Sequence, residues 1–239
     1  DKKYAFCNFE GGFPFERYID YTSDGLYETV EVFDSLAESN LENSEMNISN
    51  SASLLDEKFI FEVFGNVFED KKIYLKKIKV DRNGNTFYEF SEEYMENEGR
   101  INLWDYDDNG IVDNQFIKYP VKDGKILEEN IFFDDMGLLK VSVTSINDIP
   151  VKMNYYNEEV VIVPGYSENF YWIGNSLNVD ELSLLEKVNP NMEQGNPVII
   201  QHNENRFTVI KIGQNFYCTE VPEIEIPLDS EILSSSSEE

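Results

Sequence analysis

Residues Lys125–Thr144 read KILEENIFF, then DDMG, then LLKVSVT. In the last run Leu139, Val141 and Val143 alternate with Lys140, Ser142 and Thr144, a period of two that argues for a strand. The joining Asp134-Asp135-Met136-Gly137 is turn chemistry, because Asp bonds to nearby backbone and Gly permits positive φ. The stretch therefore predicts an antiparallel hairpin with one dry face and one wet face.

The same pattern extends in both directions. Turn signals fall at Ser23-Asp24-Gly25, Arg82-Asn83-Gly84-Asn85, Asp108-Asn109-Gly110, Lys122-Asp123-Gly124, Asp135-Met136-Gly137, Ile146-Asn147-Asp148 and Asn157-Glu158. From Lys72 to Pro164 they recur about every 10–15 residues, the spacing of an antiparallel meander. The strands between them are predicted at 73–80, 86–90, 101–104, 111–119, 125–133, 138–144, 151–155 and 160–163. The fold class is mainly β: a meander of successive hairpins over residues 1–164, as an open sheet or a barrel-like one.

After Pro164 the texture changes. Asn178-Val179-Asp180-Glu181 reads as a capping box. Val179, Leu182, Leu185 and Val188 follow at helical spacing, and Pro190 ends the segment. Three strands are expected next, at 197–202, 206–212 and 215–221. Residues 165–221 are thus a small C-terminal α+β segment with one short helix. The tail 222–239 carries Pro222 and Pro227, runs acidic and ends in serines. At best it is an edge strand, with disorder at its end.

Residues 35–57, rich in Ser, Asn and Glu, interrupt the meander and read as a long mobile excursion. They contain the sequon Asn47-Ile48-Ser49. Lys71, Lys72, Lys76, Lys77 and Lys79 form the one basic cluster, read as an edge strand guarded by lysine against edge-to-edge pairing. Cys7 and Cys218 are either one disulfide or two thiols.

One turn stands apart in chemistry. Asp105-Tyr106-Asp107-Asp108-Asn109-Gly110-Ile111-Val112-Asp113 reads D-x-D-x-N-G-x-x-D. Ca²⁺ takes about six to eight oxygen ligands. Asp105, Asp107 and Asn109 offer side-chain oxygens at positions 1, 3 and 5, Ile111 its carbonyl at 7, and Asp113 a carboxylate at 9. Gly110 at position 6 turns the chain, and Asp108 at position 4 is expected to point outward. Position 12 is Phe116, where an EF-hand needs a bidentate Glu. The apolar flanks also suit strands. The same residues satisfy a metal-free hairpin turn.

With ligands at positions 1, 3, 5, 7 and 9 between strands, the loop resembles the calcium loops of EF-hand-like and integrin-type FG-GAP hairpins. That resemblance covers the loop alone and implies a structural Ca²⁺ site. The sequence holds one good copy of it. The rows of Tyr- and Asp-rich hairpins also resemble YD-type repeats.

Composition narrows the function. There are 47 Asp and Glu against 19 Lys and Arg, a formal charge of −28. Such a surface repels phosphate backbones, so nucleic acid is an unfavoured partner, and a basic protein a favoured one. Aromatic residues make up 14% of the chain, the material of cross-strand pairs and of sugar-stacking platforms. No apolar run reaches the roughly 18 residues of a membrane span. His202, the one histidine, is expected at a solvated strand end, and no nucleophile elbow, HExxH, P-loop or dinucleotide fingerprint occurs.

These features predict no catalytic residues. They predict a non-enzymatic exported or cell-surface protein, extracellular or periplasmic, that binds a macromolecular or glycan partner and carries one structural calcium hairpin. The start at Asp1-Lys2-Lys3, without Met, fits a chain trimmed after export. The alternative is an intracellular acidic immunity or inhibitor protein that masks a basic enzyme surface.

Overall fold

The structure, a computed structural model, describes residues 4–37, 71–95, 97–156, 158–189 and 191–221. The chain divides into two compact units, Asp1–Ile162 and Val163–Glu239.

The first unit is built on an 11-stranded antiparallel sheet whose strands follow one another in chain order. They are β1 (Tyr4–Glu10), β2 (Phe13–Asp20), β3 (Thr29–Ala37), β4 (Lys71–Val80), β5 (Phe90–Tyr94), β6 (Arg100–Trp104), β7 (Asn114–Lys118), β8 (Leu127–Phe133), β9 (Leu139–Ile146), β10 (Ile149–Tyr155) and β11 (Glu158–Val160). The order ends at β1 and β11, which do not pair with each other, so the sheet is open and not a barrel. Two of its tight turns, Asp123-Gly124 and Asn147-Asp148, put both central residues at positive φ. That geometry matches the right-handed twist of the flanking strands.

Several sequence expectations change here. Residues 86–89 form a loop, with only Phe90 of the expected 86–90 strand entering β5, and Ile111-Val112 precede β7. Strand β3 runs to Ala37, into the first residues of the expected excursion. The rest of that segment, the sequon and the acidic tail lie outside the described residues. The lysine-rich strand is β4, which lies between β3 and β5 and is not an edge. Its lysines answer facing groups: Lys77 Nζ lies 3.4 Å from Glu93, Lys76 3.9 Å from Asp34, and Lys79 sits over the Tyr88 ring at 5.1 Å.

The division into a dry and a wet face also fails. In β9 Val141 and Val143 are buried, and so is Ser142, which accepts from Asn154 Nδ2 at 3.0 Å. In the central strands both faces mix chemistry. One cross-strand row runs Lys79, Ser91, Leu103, Gln115, and a row on the opposite face runs Glu92, Asn102, Phe116, Asn130. Cross-strand pairs of this kind are worth about 0.2–1 kcal/mol each. The sheet is held by many such pairs together with its ladder of backbone bonds.

The second unit has five strands in the order β12 (Ile162–Pro164), β13 (Phe170–Ile173), β16 (Asn215–Val221), β15 (Asn205–Ile212), β14 (Val198–His202). Strand β13, missed in the sequence, pairs parallel with β16. The helix α1 is Glu181–Leu185, and its N-cap is Asp180, which accepts from Ser183 N, in place of Asn178. Of the expected stripe, Val179, which precedes the helix, Leu185 and Val188 all pack on the core, and only Leu182 does not. Leu182 is exposed, while Leu184 and Val188 enter a core of Phe170, Trp172, Phe207, Val209 and Cys218. Both cysteines are free thiols. Burial, with the nearby Glu181 charge, pushes the Cys218 thiol up to about 12.

Glu181 organises this core. Its buried carboxylate accepts from Trp172 Nε1 at 2.8 Å and from Ser167 N at 2.7 Å. A Cβ on Gly165 would lie 2.6 Å from Glu181 Oε1, so only glycine admits this approach. Removing the acceptor orphans a buried indole N–H. Glu181→Ala is expected to cost about 2–4 kcal/mol in urea denaturation followed by tryptophan fluorescence. Glu181→Gln, which keeps one acceptor oxygen but turns an NH₂ toward the second donor, is expected to cost less than Glu181→Ala.

Candidate functional site

Four loops lie at one end of the 11-stranded sheet: between β2 and β3, β4 and β5, β6 and β7, and β8 and β9. Three of them share a nine-residue frame: Asp20–Glu28, Asp81–Glu89 and Asp105–Asp113. Position 1 is Asp in each, position 5 is Asp or Asn, and position 9 is an acid. Positions 4 and 6 take positive φ in all three: 64° and 93° at Ser23 and Gly25, 71° and 76° at Gly84 and Thr86, 60° and 86° at Asp108 and Gly110. The fourth loop, Asp134–Leu138, is an abbreviated version.

The position-1 carboxylate is the centre of each loop. Asp20, Asp81 and Asp105 are all buried. Asp20 accepts from Ser23 N and Gly25 N. Asp81 accepts from Gly84 N, Asn85 N and Thr86 N at 2.7, 3.2 and 2.7 Å. Asp105 accepts from Asn109 N at 3.1 Å and Gly110 N at 2.7 Å. The position-5 oxygen accepts from the amide at position 7, in Leu26, Phe87 and Ile111. The position-9 carboxylate accepts from the amide at position 2, in Tyr21, Arg82 and Tyr106.

The loops are also tied to one another. Asp81 N donates to Glu28 O at 2.9 Å, Asp105 N to Glu89 O at 3.0 Å, and Phe133 N to Asp113 O at 2.8 Å. Asp108 does not point outward as expected. Its Oδ2 accepts from the side-chain amides of Asn83 and Asn85 in the preceding loop. The position-7 side chain packs against a glycine of the next loop. A Cβ on Gly84 would meet Leu26 Cδ1 at 2.5 Å, one on Gly110 would meet Phe87 at 3.2 Å, and one on Gly137 would meet Ile111 at 3.4 Å.

Of the five ligand candidates in the third loop, Asp105, Asp107 and Asp113 are brought together. Their carboxylate oxygens lie within 4.8 Å of one another, a set able to hold a metal ion. Asn109 spends its oxygen on Ile111 N at 2.7 Å and donates Nδ2 to Asp107 at 2.9 Å. Burial and the charges of Asp107 and Asp105 hold the Asp113 carboxyl above its ordinary value of 3.8, against the pull of its backbone hydrogen bonds.

The loop is not the lone copy that the sequence suggested. Asp20, Asp24 and Glu28 form a second set within the same distance. Its signal was the shared Asp at position 1, Asp or Asn at 5 and acid at 9, obscured by Thr22 at position 3. The two sets differ in charge balance. Thr22 Oγ1 donates to Glu28 at 2.6 Å, and this bond leads the effects that lower the Glu28 pKa.

In the second unit His202 is buried, contrary to the solvated position expected of it. Its ring lies edge-on to Phe207 at 6.3 Å, and Nδ1 has no hydrogen-bond partner. A hollow of about 430 Å³ lies beside it, lined by Asn178, Asp180, Asn203 and Glu204 among others.

No protein-family model, curated protein or solved structure matches this chain.

The loop row yields two tests. Gly84→Ala combines positive φ with a clash against Leu26 and is expected to cost about 2–4 kcal/mol. Gly124→Ala, also at positive φ but with nothing within 4 Å of the added carbon, is expected to cost about 1–2 kcal/mol. Urea denaturation of the two variants compares them. The second test uses pH. Because the folded Asp113 pKa is raised, its favourable contribution is present below pH 3.8 and is lost as pH rises through the folded value. In EDTA, Asp113→Asn should melt higher than the parent at pH 7, and that gain should vanish below pH 3.8.

Proposed function

We propose that this chain is a non-enzymatic binding protein, exported or displayed at a cell surface, in which the open sheet is a scaffold and the loop row contacts a macromolecular partner. One structural Ca²⁺ is held at the third loop. The observation that carries the metal reading is the convergence of Asp105, Asp107 and Asp113. Burial, and after it the charges of Asp107 and Asp105, raise the Asp113 pKa, effects that a bound cation would offset. An all-oxygen donor set suits a hard cation such as Ca²⁺ over a thiolate- or imidazole-seeking metal. Asp105, Asp107 and Asp113 would supply carboxylates, and Ile111 its carbonyl.

The role of such an ion is local. The loop folds around Asp105 through backbone amides, as the Asp81 loop does with only two carboxylates, Asp81 and Glu89. A cation would relieve repulsion among acids already gathered, and so raise stability without building the loop. The binding role is supported by the loop row, where exposed apolar side chains stand among acids in successive loops.

The acidic inhibitor reading, an intracellular protein that covers a basic enzyme surface, draws support from the same charge. Four carboxylates fall in the third loop alone. The two readings part on metal dependence, since extracellular calcium at about 1 mM fills weak sites that intracellular levels leave empty.

Thermal melting tests the metal. About 1 mM CaCl₂ is expected to raise the Tm of the first unit by about 3–5 °C over EDTA. Asp107→Ala should abolish the shift. In calcium the Asp113→Asn variant should melt below the parent, the reverse of its order in EDTA. An unchanged Tm in the parent protein, or a shift that survives Asp107→Ala, overturns the assignment.

A further inference from the structure

We propose that the loop row is a docking surface for a basic amphipathic helix of a partner protein, an inference that rests on the binding role above and names the partner's chemistry. The crest of the row is apolar. Leu26, Phe87 and Leu138 are 43%, 47% and 57% exposed, and the half-buried Ile111 lies between the last two. The packing of each position-7 side chain on the next loop's glycine makes these residues one continuous ridge. Large apolar side chains aligned and left in water in this way mark an interaction site more than scattered single ones do.

The flanks of the ridge are acidic. The four loops hold eleven Asp and Glu and one cation, Arg82. The position-1 carboxylates bond to backbone N–H groups, which satisfies their hydrogen bonding and leaves their charge. The field over the ridge is therefore negative, which disfavours nucleic acid and anionic lipid and favours a basic partner. A simple polyamine would leave the apolar crest uncovered, so the partner must also bring apolar groups.

Spacing selects the partner's form. Successive loops are two strands apart, so crest residues repeat about every 10 Å. Two turns of α-helix rise about 10.8 Å, which places every seventh side chain of a helix over successive crest residues. An extended segment offers same-face side chains at about 6.6 or 13 Å and misses that repeat. A helix with an apolar residue at each seventh position and Lys or Arg beside it matches both the ridge and its flanks.

The test uses synthetic helical peptides with the full-length chain, in EDTA, with circular dichroism melts to show that each variant is folded. The probe peptide has leucine at every seventh position flanked by lysines. A second peptide has the same composition with leucine at every fifth position, and a third is an unbranched lysine polymer. Fluorescence anisotropy of the probe is expected to show binding that weakens with salt and drops at least about tenfold with Phe87→Ser. Leu138→Ser, at the most exposed crest position, is expected to do the same and serves if Phe87→Ser perturbs its loop. The every-fifth peptide should bind at least about tenfold more weakly than the probe, and the lysine polymer should be insensitive to both variants. Equal binding of the probe to the parent and to both variants overturns the docking surface and leaves a charge-driven binding role in place. Equal affinity for the two leucine spacings overturns the helix. Failure of both the leucine probe and the lysine polymer to bind the parent overturns the docking surface together with the basic-partner reading on which it rests.

Discussion

A buried carboxylate that accepts backbone N–H groups shapes the working end of this molecule. Asp20, Asp81 and Asp105 each stand at the last paired position of a strand or one residue beyond it, and each turns inward. A carboxylate in that place must find donors, because an unsatisfied buried charge is costly. The donors it finds are the amides of its own loop, two or three per carboxylate. Satisfying them goes with positive φ at positions 4 and 6, and glycine occupies one of these two positions in each of the three loops. The loop conformation thus follows from one side chain and its hydrogen-bond requirements.

Repetition turns a local motif into a surface. Backbone bonds from Asp81 N, Asp105 N and Phe133 N to the carbonyls that close the preceding loops fix the loops in sequence along the sheet. The glycines then serve a second purpose, since their bare faces admit Leu26, Phe87 and Ile111 from the preceding loops. The ridge, the acidic flanks and the gathered carboxylates of the third loop are all consequences of that stacking. A cation bound at the third loop, as proposed, would refine a structure that the aspartates have already built.

The hairpin pattern was legible because period-two alternation and Asp, Asn and Gly turns act over a few residues. The meander order and the short helix near Glu181 could be read on that basis. What could not be read was whatever depends on neighbours distant in sequence. The lysines of β4 look like an edge guard until Asp34 and Glu93 face two of them from either side. The stretch from Thr86 to Phe90 has strand propensity, yet Asp81 claims its first amide for a loop. Strand β13 gave no signal because its parallel partner β16 lies more than forty residues on. The site was half legible. The ligand spacing of Asp105–Asp113 stood out, but the threefold frame was hidden by Thr22 and Asn83 at position 3, where the chemistry differs and the backbone does not.

Hydrogen exchange resolved by residue tests most directly the claim that buried aspartates hold these loops. In EDTA the amides of Gly25, Gly84, Thr86 and Gly110 should exchange on the order of 100-fold slower than that of Gly124, in the Lys122–Lys125 turn at the opposite end of the sheet. Asp81→Asn should speed exchange at Gly84 and Thr86 while leaving Gly110 nearly unchanged. Loop amides that exchange as fast as Gly124 without metal, and slow only when calcium is added, would contradict the account, because the ion and not the aspartates would then be holding the loops.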